Sequence, residues 1–142
     1  MRQVRVYSAD PLAAHSEQEL GRAASAHVLR VLRLRAGDAL TLFDGRGGEY
    51  PARLVRTGRA AAVVEVGAHL PLERESPLAI TLLQSLARGE KMDFIVQKGT
   101  ELGVTRIVPV AVGRSVMRVP QGREGRKLEH WRAVAASACE QC

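Results

Sequence analysis

Residues 78–112, LAITLLQSLARGEKMDFIVQKGTELGVTRIVPVAV, decide the fold of the second half of this 142-residue chain. The run 78–83 is almost continuously apolar, which predicts a strand buried on both faces. Residues 89–103 have the periodicity of a helix, and residues 106–112 again have the pattern of a strand. A strand, a helix and a strand within 35 residues predict a βαβ unit and therefore a parallel sheet.

The central helix of this unit has two different faces at 100° per residue. Its apolar face consists of Met92, Ile95, Val96, Gly99 and Leu102. The opposite face consists of Asp93, Gln97, Thr100 and Glu101, with Lys91 and Lys98 at the border. An amphipathic surface helix with stabilising charge pairs is the ordinary interpretation of such a pattern. A functional site on the polar face is the alternative.

The loop after the second strand begins with Arg114-Ser-Val-Met-Arg118. Ligands in open α/β sheets bind outside the carboxyl ends of the strands, so this loop is well situated for a site. Solvated arginines are the alternative. From residue 123 to the end a second helix is predicted, with Leu128, Trp131, Val134 and Ala138 on one face. A two-stranded parallel sheet has open edges and lacks a layer, so we expect the chain to be a fragment or to need a partner.

The first half of the chain has a different pattern, with many short strands and one helix. Residues 2–8 alternate as a half-buried strand, and residues 18–34 carry a helical apolar stripe. Residues 39–43, 49–55 and 60–66 are predicted as three more strands. Such a composition within about 70 residues predicts a small β-barrel, of the kind that RNA-binding modules often use.

The segment Asp44-Gly-Arg-Gly-Gly48 separates two of these strands. Glycine-rich loops can bind phosphate, but this one precedes no helix and has no Lys-Ser/Thr pair, which excludes a P-loop. A tight hairpin turn that uses glycine for positive φ is the better interpretation. Arg46 at the tip remains a candidate for contact with RNA.

The charge of the chain favours a polyanionic partner. The formal net charge is +6 and the sequence pI about 10.1. Residues 1–75 carry 11 basic and 9 acidic side chains, a net charge of +2, and residues 76–142 carry 10 and 6, a net charge of +4. Lysine and arginine release counterions from a nucleic-acid backbone, although solubility alone also explains such a charge. Most of these cations are arginines, which suit forked contacts to phosphate.

The cysteines and histidines predict neither a disulfide framework nor a metal site. Cys139 and Cys142 form a C-x-x-C at the end of a helix, where they are best interpreted as small packed side chains in a reducing cytosol. The four histidines are scattered, so no zinc ligand set is formed. No signal peptide and no apolar run of about 18 residues occur, so we expect no membrane segment.

Several motifs follow one another in an order that resembles a known family. They are an N-terminal Arg-x-x-Arg strand, His27-Val-Leu-Arg-Val-Leu-Arg-Leu34, Gly37-Asp38, Leu42-Phe-Asp-Gly-Arg-Gly-Gly-Glu-Tyr50, Gly89-Glu-Lys-Met-Asp93, Gln97-Lys-Gly-Thr-Glu-Leu-Gly103, Arg114-Ser115 and Glu140-Gln141. Over essentially the whole chain, this order resembles the ribosomal RNA small subunit methyltransferase E family. The His-Val-Leu-Arg and Gln-Lys-Gly-Thr-Glu-Leu-Gly segments are specific in combination.

The resemblance implies a chain of mixed α+β and α/β class. A PUA-like β-barrel that grips 16S rRNA is expected over residues 1–70, followed by a linker over residues 71–77. Residues 78–142 would form the first part of a SPOUT-type α/β domain with a parallel sheet, without its C-terminal knot. The family transfers a methyl group from S-adenosylmethionine to N3 of a uridine in the decoding region, in the cytoplasm and as a homodimer. Since the knot holds the cofactor, we expect this chain alone to bind it poorly and to be inactive.

The resemblance also implies roles for individual residues. By motif position, the uridine site would be lined by Lys91, Gln97, Glu101 and Arg114. Arg114 or Lys91 would steady the uracilate, and Glu101 is a possible base or orienting group. Glu140 and Gln141 would lie on the cofactor side. The expected contacts with the RNA backbone are Arg2, Arg5, Arg30, Arg33 and Arg46.

Two other functions stay open at this point. A non-catalytic RNA-binding module would have the same charge and the same first half. An unrelated α/β nucleotide enzyme is the weaker alternative, because the chain has no phosphate-binding motif.

Overall fold

The computed structural model describes residues 4–59, 61–72, 76–113 and 122–141. The chain divides into two compact units, Met1–Arg74 and Glu75–Cys142, which we call unit 1 and unit 2. The linker predicted at 71–77 lies partly outside the described residues.

Unit 1 is built on one five-stranded sheet. Its strands are β1 (Arg5–Tyr7), β2 (Ser16–Glu19), β3 (Ala39–Phe43), β4 (Tyr50–Thr57) and β5 (Ala62–Val66). Their order is β1-β3-β4-β5-β2, in which β1 pairs parallel with β3 and all other pairs are antiparallel. The strand predicted at 39–43 is present with the same ends, and those predicted at 2–8, 49–55 and 60–66 are present with shifted ends, apart from residues 2, 3 and 60, which lie outside the described residues.

One face of this sheet is covered by a short helix. Helix α1 (Arg22–Ala26) continues into a π-helical turn (His27–Val31), in which the Leu32 N–H donates to the His27 carbonyl at 2.9 Å. Ala24 and Val28 from this segment are buried against strand residues. Alternate residues of the strands complete the core, which contains Val6, Leu40, Leu42, Leu54, Val64 and Val66. The period of two places the opposite side chains in solvent.

The helix predicted over residues 18–34 is wrong at its beginning and at its end. Residues 16–19 are strand β2, which pairs antiparallel with β5 from Ser16↔Val66 to Glu19↔Val63. This pairing satisfies the backbone of an otherwise open β5 edge, so it overrides the local helical pattern. At the other end, Arg33 has a φ of 54°, which no helix can continue.

The small β-barrel predicted for this half is not closed by the pairings of the described residues. The sheet has two edge strands, β1 and β2, and both are very short. Short edge strands limit pairing with other chains, which makes an open sheet tolerable in solution.

The glycine-rich segment 44–48 is the hairpin turn that its composition predicts. It joins β3 to β4, whose register includes Leu42↔Tyr50. Gly45, Gly47 and Gly48 all have positive φ, between 71° and 93°. A side chain at Gly48 would in addition collide with His69, since its Cβ would lie 2.2 Å from the ring Nε2. Glycine is therefore required at this turn.

Unit 2 is a βαβ unit followed by one more helix. Its elements are β6 (Thr81–Ser85), α2 (Glu90–Glu101), β7 (Arg106–Val110) and α3 (Glu124–Cys139). Strands β6 and β7 pair parallel from Thr81↔Arg106 to Ser85↔Val110. The parallel sheet and both predicted helices are thus confirmed.

The core of unit 2 lies between α2, α3 and one face of this sheet. Leu86, Met92, Val96 and Trp131 are buried together. Helix α2 packs closely on the sheet at Gly99, where a Cβ would lie 3.4 Å from Ile107 Cδ1 and 3.9 Å from Leu82 Cδ2, within van der Waals contact of both side chains.

Two burial predictions for unit 2 are wrong. The run 78–83 is not buried on both faces, since Leu78 is 62% and Leu83 70% exposed. Leu102 was expected on the apolar face of α2 but is 79% exposed. Most of each of these side chains is open to solvent within the described residues. In the described residues, moreover, no helix has the length and apolarity that crossing a membrane would require.

Helix α2 ends in a Schellman motif. The Gly103 N–H donates to the Thr100 carbonyl at 3.0 Å, and the Val104 N–H donates to the Gly99 carbonyl at 2.9 Å. Gly103 has a φ of 82°, which glycine adopts without a steric penalty. This turn directs the chain into β7 and so fixes the register of the parallel pair.

Candidate functional site

Glu101 is the centre of a hydrogen-bonded group on the polar face of α2. Gln97 Nε2 donates to Glu101 Oε1 at 3.0 Å, and Lys98 Nζ donates to Glu101 Oε2 at 2.6 Å. These residues precede Glu101 by four and three positions, which places all three on one side of the helix. The structure therefore brings together the predicted residues Gln97 and Glu101, and it adds Lys98.

This group controls the protonation of Glu101. The hydrogen bond from Lys98 lowers the pKa of the carboxyl below its ordinary value of 4.5, partial burial opposes this shift, and the bond from Gln97 adds to it. The carboxylate is consequently ionised at neutral pH and is a weaker base than an ordinary glutamate. Both of its oxygens already accept a hydrogen bond, so it acts as a fixed acceptor that orients the Gln97 amide.

Lys91 lies in a different part of the same helix. It is exposed in the first turn of α2, six positions before Gln97 and ten before Glu101. At 1.5 Å per residue, these separations correspond to about 9 and 15 Å along the helix axis. Lys91 therefore lies nearly two turns of the helix from Gln97 and nearly three from Glu101, and its place beside them in one site stays a prediction. Arg114, the fourth predicted residue, lies outside the described residues.

Asp93 joins α2 to α3, which the sequence interpretation missed. Its Oδ1 accepts a hydrogen bond from Trp131 Nε1 at 3.2 Å, and its Oδ2 lies 2.8 Å from His130 Nε2. A buried tryptophan needs an acceptor for its N–H, so Trp131 on the apolar face of α3 was the signal that a polar partner lies opposite. The spacing within α2 alone had indicated only a solvent-facing carboxylate.

The two residues predicted on the cofactor side lie at the end of α3. The Glu140 N–H donates to the Ala136 carbonyl at 3.2 Å, and the Gln141 N–H donates to the Ala138 carbonyl at 3.0 Å. Cys139 is half-buried beside them and Cys142 lies outside the described residues. The C-x-x-C pair therefore stays a prediction.

Three of the predicted RNA contacts are exposed on unit 1. Arg30 lies in the π-helical turn, Arg33 follows it, and Arg46 occupies the tip of the β3–β4 hairpin. Arg46 is held there by an Asx turn, in which its backbone N–H donates to Asp44 Oδ1 at 3.0 Å. Arg2 lies outside the described residues.

Arg5 differs from these three arginines because its charge is engaged inside unit 1. Its Nε lies 3.7 Å from Glu49 Oε2, and the two side chains are only 17% and 4% exposed. Its guanidinium also stacks over Phe43, 4.7 Å from the ring centroid. Arg5 therefore stabilises the β1–β3 region, and the exposed arginines are better suited to bind a polyanion.

Comparison with known proteins matches both units to RNA-modifying enzymes. Residues 74–142 match the family described as RNA methyltransferase domain, and residues 20–67 match the RNA methyltransferase PUA domain. The ribosomal RNA small subunit methyltransferase E of Buchnera aphidicola is 29% identical over 97% of this chain and 54% of that protein. The solved ribosomal RNA small subunit methyltransferase E from Neisseria gonorrhoeae, bound to S-adenosyl methionine, superposes with a TM-score of 0.91 at 38% identity, over 99% of this chain and 57% of that one.

This chain belongs to the ribosomal RNA small subunit methyltransferase E family. The resemblance seen in the motifs is thus confirmed. A Legionella pneumophila protein, solved with the cofactor SAM bound, superposes with a TM-score of 0.95 at 34% identity, over all of this chain and 59% of that one. The chain spans about half the length of the curated methyltransferase E relatives it matches.

The described part of the chain contains no set of metal ligands. Residues 4–59, 61–72, 76–113 and 122–141 contain no group of three or more His, Cys, Asp or Glu side chains that could hold an ion. The functional groups on display are amides, carboxylates and cations, which suit recognition of a nucleobase and of phosphate.

Proposed function

We propose that this chain contributes the RNA-binding part and the uridine-facing part of a methyltransferase that modifies N3 of a uridine in 16S rRNA. The methyl donor would be S-adenosylmethionine, and the enzyme would act in the cytoplasm on the small ribosomal subunit as a homodimer. In this proposal unit 1 is a PUA-like barrel and unit 2 the first part of a SPOUT-type domain. The observation that supports it best is the likeness of both units to the Neisseria methyltransferase E.

The chemistry at uridine explains which side chains such a site needs. N3 of uracil carries a proton and is a poor nucleophile until that proton leaves. A base has to accept it, and hydrogen-bond donors or cations have to stabilise the negative charge that spreads onto O2 and O4. The uridine also has to leave its stack to be reached.

We assign the donor role to Gln97 and the orienting role to Glu101. The contact between them directs one N–H of the Gln97 amide to Glu101, which leaves its carbonyl and second N–H for a nucleobase edge. The lowered pKa of Glu101 argues against its service as the base, because a weaker base accepts the N3 proton less readily. Arg114 remains our candidate for stabilising the uracilate.

Lys91 would act on the RNA backbone instead of the base. Its distance along α2 from Gln97 and Glu101 exceeds the size of a uracil ring. It lines an open depression with Glu90, Phe94 and Ile95, where an ammonium can reach a phosphate.

The described residues alone do not fit S-adenosylmethionine. The two best-formed concave surfaces of the described residues are shallow and open, and neither includes Glu140 or Gln141. A cofactor of that size is normally enclosed over most of its surface. Glu140 and Gln141 remain our candidates at the edge of a cofactor pocket built by other residues.

Methylation by a completed chain tests the proposal. The part of the Neisseria relative that this chain does not cover would be fused after residue 142, and the fusion incubated with S-adenosylmethionine and small subunits that lack the modification. We expect a block to reverse transcription at one uridine, because a methyl group on N3 prevents Watson–Crick pairing. Calorimetry should detect S-adenosylmethionine binding to the fusion and none to the 142-residue chain.

Two variants of the fusion separate the roles of its residues. Arg114→Ala should lower methylation severely while leaving the fold intact. Glu101→Gln should retain part of the activity, since a neutral amide still orients Gln97 but cannot serve as a base. A correctly folded fusion that binds the cofactor and leaves every uridine N3 unmodified contradicts the proposal.

A further inference from the structure

The first half of α3, together with the residue before it, carries a stripe of three cationic side chains and one histidine. At 100° per residue, its four members fall within about 100° of the helix circumference, spaced i, i+3, i+4 and i+7. They are Arg123, Arg126, Lys127 and His130, which we call the α3 basic stripe. The two acidic residues of the same segment, Glu124 and Glu129, lie on either side of the stripe and not within it.

Local stability does not explain this arrangement. Cations near the amino terminus of a helix oppose its dipole and are unfavourable there. Among the described residues, no carboxylate lies within ion-pair distance of Arg123, Arg126 or Lys127. Arg56 and Lys98, in contrast, each have a glutamate partner. Arg123 and Arg126 therefore face solvent without an ion-pair partner among the described residues, and the half-buried Lys127 lies beside them.

The stripe borders a shallow, open depression, and its second turn is fixed to the core. Its four residues line this depression, whose volume of about 220 Å³ leaves room for a phosphate group. Lys127 Nζ lies 6.0 Å from the centroid of the buried Trp131 ring. His130 is held by Asp93 on α2 at 2.8 Å. The second turn of the stripe is thus positioned by the packing of α3 on α2.

We propose that the α3 basic stripe binds backbone phosphates of the RNA substrate, in addition to the arginines of unit 1. This inference rests on the proposed function, since it identifies a second surface through which the same RNA is held. Arginine forks match phosphate oxygens bidentately, as they do carboxylates, and the match of both units to RNA methyltransferase domains favours a nucleic acid over an acidic protein segment. Phosphate contacts from unit 2 position the strand without reading its sequence.

Binding of RNA at several salt concentrations tests the stripe. The probe is a fluorescein-labelled transcript of the decoding region, and the variant is Arg126→Gln/Lys127→Gln in the whole chain. Each phosphate contact contributes about 0.7 to 0.9 to the slope of log K against log salt. The double variant should therefore lower that slope by about 1.5 and weaken binding about tenfold or more at 0.1 M salt.

The matched control removes the same charge elsewhere in unit 2. Arg106 and Arg132 are both exposed and lie outside the stripe, so Arg106→Gln/Arg132→Gln should keep the wild-type slope. Equal losses in the two double variants would indicate general electrostatics and overturn the inference, as would an unchanged slope in Arg126→Gln/Lys127→Gln. Equally strong competition by polyglutamate would point to an acidic protein partner and also overturn it.

The outcome also separates this inference from the proposed function. If the wild-type chain and the stripe variant bind the transcript equally well, the inference about the α3 basic stripe is wrong and the proposed function is unaffected. If the wild-type chain does not bind RNA at all, both the inference about the stripe and the proposed function are contradicted. Arg106, Arg126 and Arg132 are exposed and Lys127 is half-buried beside Trp131, so far-UV circular dichroism, rather than the fluorescence of Trp131, checks that every variant keeps its fold.

Discussion

The indole N–H of Trp131 donates a 3.2 Å hydrogen bond to Asp93 Oδ1, and this contact ties α3 to α2. Asp93 simultaneously holds His130 through its other oxygen, so one carboxylate organises the packed face and the exposed edge of α3. The buried core of unit 2 and the α3 basic stripe consequently depend on the same side chain.

Removal of Asp93 should destabilise unit 2. Asp93→Ala leaves the N–H of the buried Trp131 without its acceptor, which should lower the free energy of unfolding by about 1–3 kcal/mol. Urea unfolding followed by tryptophan fluorescence measures this in unit 2 alone, because Trp131 is the only tryptophan of the chain. Glu90→Ala is the control, since it removes an acidic residue from the same first turn and should cost about 0.3–1 kcal/mol. Equal effects of the two substitutions would mean that the hydrogen bond contributes nothing beyond helix-dipole stabilisation.

Two glycine-to-alanine substitutions should have opposite signs. Gly103 has positive φ at the end of α2, so alanine there should destabilise unit 2 by about 1–2 kcal/mol. Gly125 lies inside α3 with open space around it, and alanine there should stabilise the helix by about 0.5–1 kcal/mol. Tryptophan-monitored urea unfolding of both variants measures the two shifts. A shift of the same sign in both would contradict the Schellman geometry of α2.

The carboxyl of Glu101 should titrate at unusually low pH. Its pKa lies below 4.5 because Lys98 and then Gln97 donate to the carboxylate. A depressed pKa means that the ionised form stabilises the folded state above about pH 4.5 and that this contribution is lost as the pH falls through the lower folded value. Carbon-detected NMR of the glutamate side chains follows the titration directly. Lys98→Met should raise the pKa towards 4.5, Gln97→Ala should raise it less, and no change in Lys98→Met would contradict the assigned cause.

Arg5 and Arg46 should respond differently to loss of charge. Arg5→Gln removes the cation beside the buried Glu49, and it should destabilise unit 1 by about 2–3 kcal/mol because the pair is largely but not fully buried. Both tyrosines of the chain, Tyr7 and Tyr50, lie in unit 1, so their near-UV circular dichroism reports its unfolding. Arg46→Gln at the hairpin tip should leave this stability unchanged and lower the salt dependence of RNA binding. A loss of stability in Arg46→Gln and a loss of salt dependence in Arg5→Gln would contradict the structural role given to Arg5 and the RNA-binding role given to Arg46.

Local sequence patterns predicted the fold correctly where an element contacts only its neighbour along the chain. The run 78–112 predicted a parallel βαβ unit, and β6, α2 and β7 confirm it. The glycines at 45, 47 and 48 predicted a hairpin, because only positive φ closes so tight a turn. The helix prediction was wrong for residues 18–19. They pair with the edge of β5 as a strand, which their own hydrophobic periodicity does not indicate.

The candidate site likewise contains contacts that the sequence predicted and contacts that it did not. The residue types and their spacing placed Gln97 and Glu101 on one face of α2 with Lys98 at its border, because a helix brings positions three and four apart together whatever surrounds it. Only the tertiary structure decided that Asp93 belongs to the α2–α3 contact and that Arg5 lies over Phe43 beside Glu49. Those contacts join residues more than 35 positions apart, and the free energy that selects them comes from packing and burial, which no local period records.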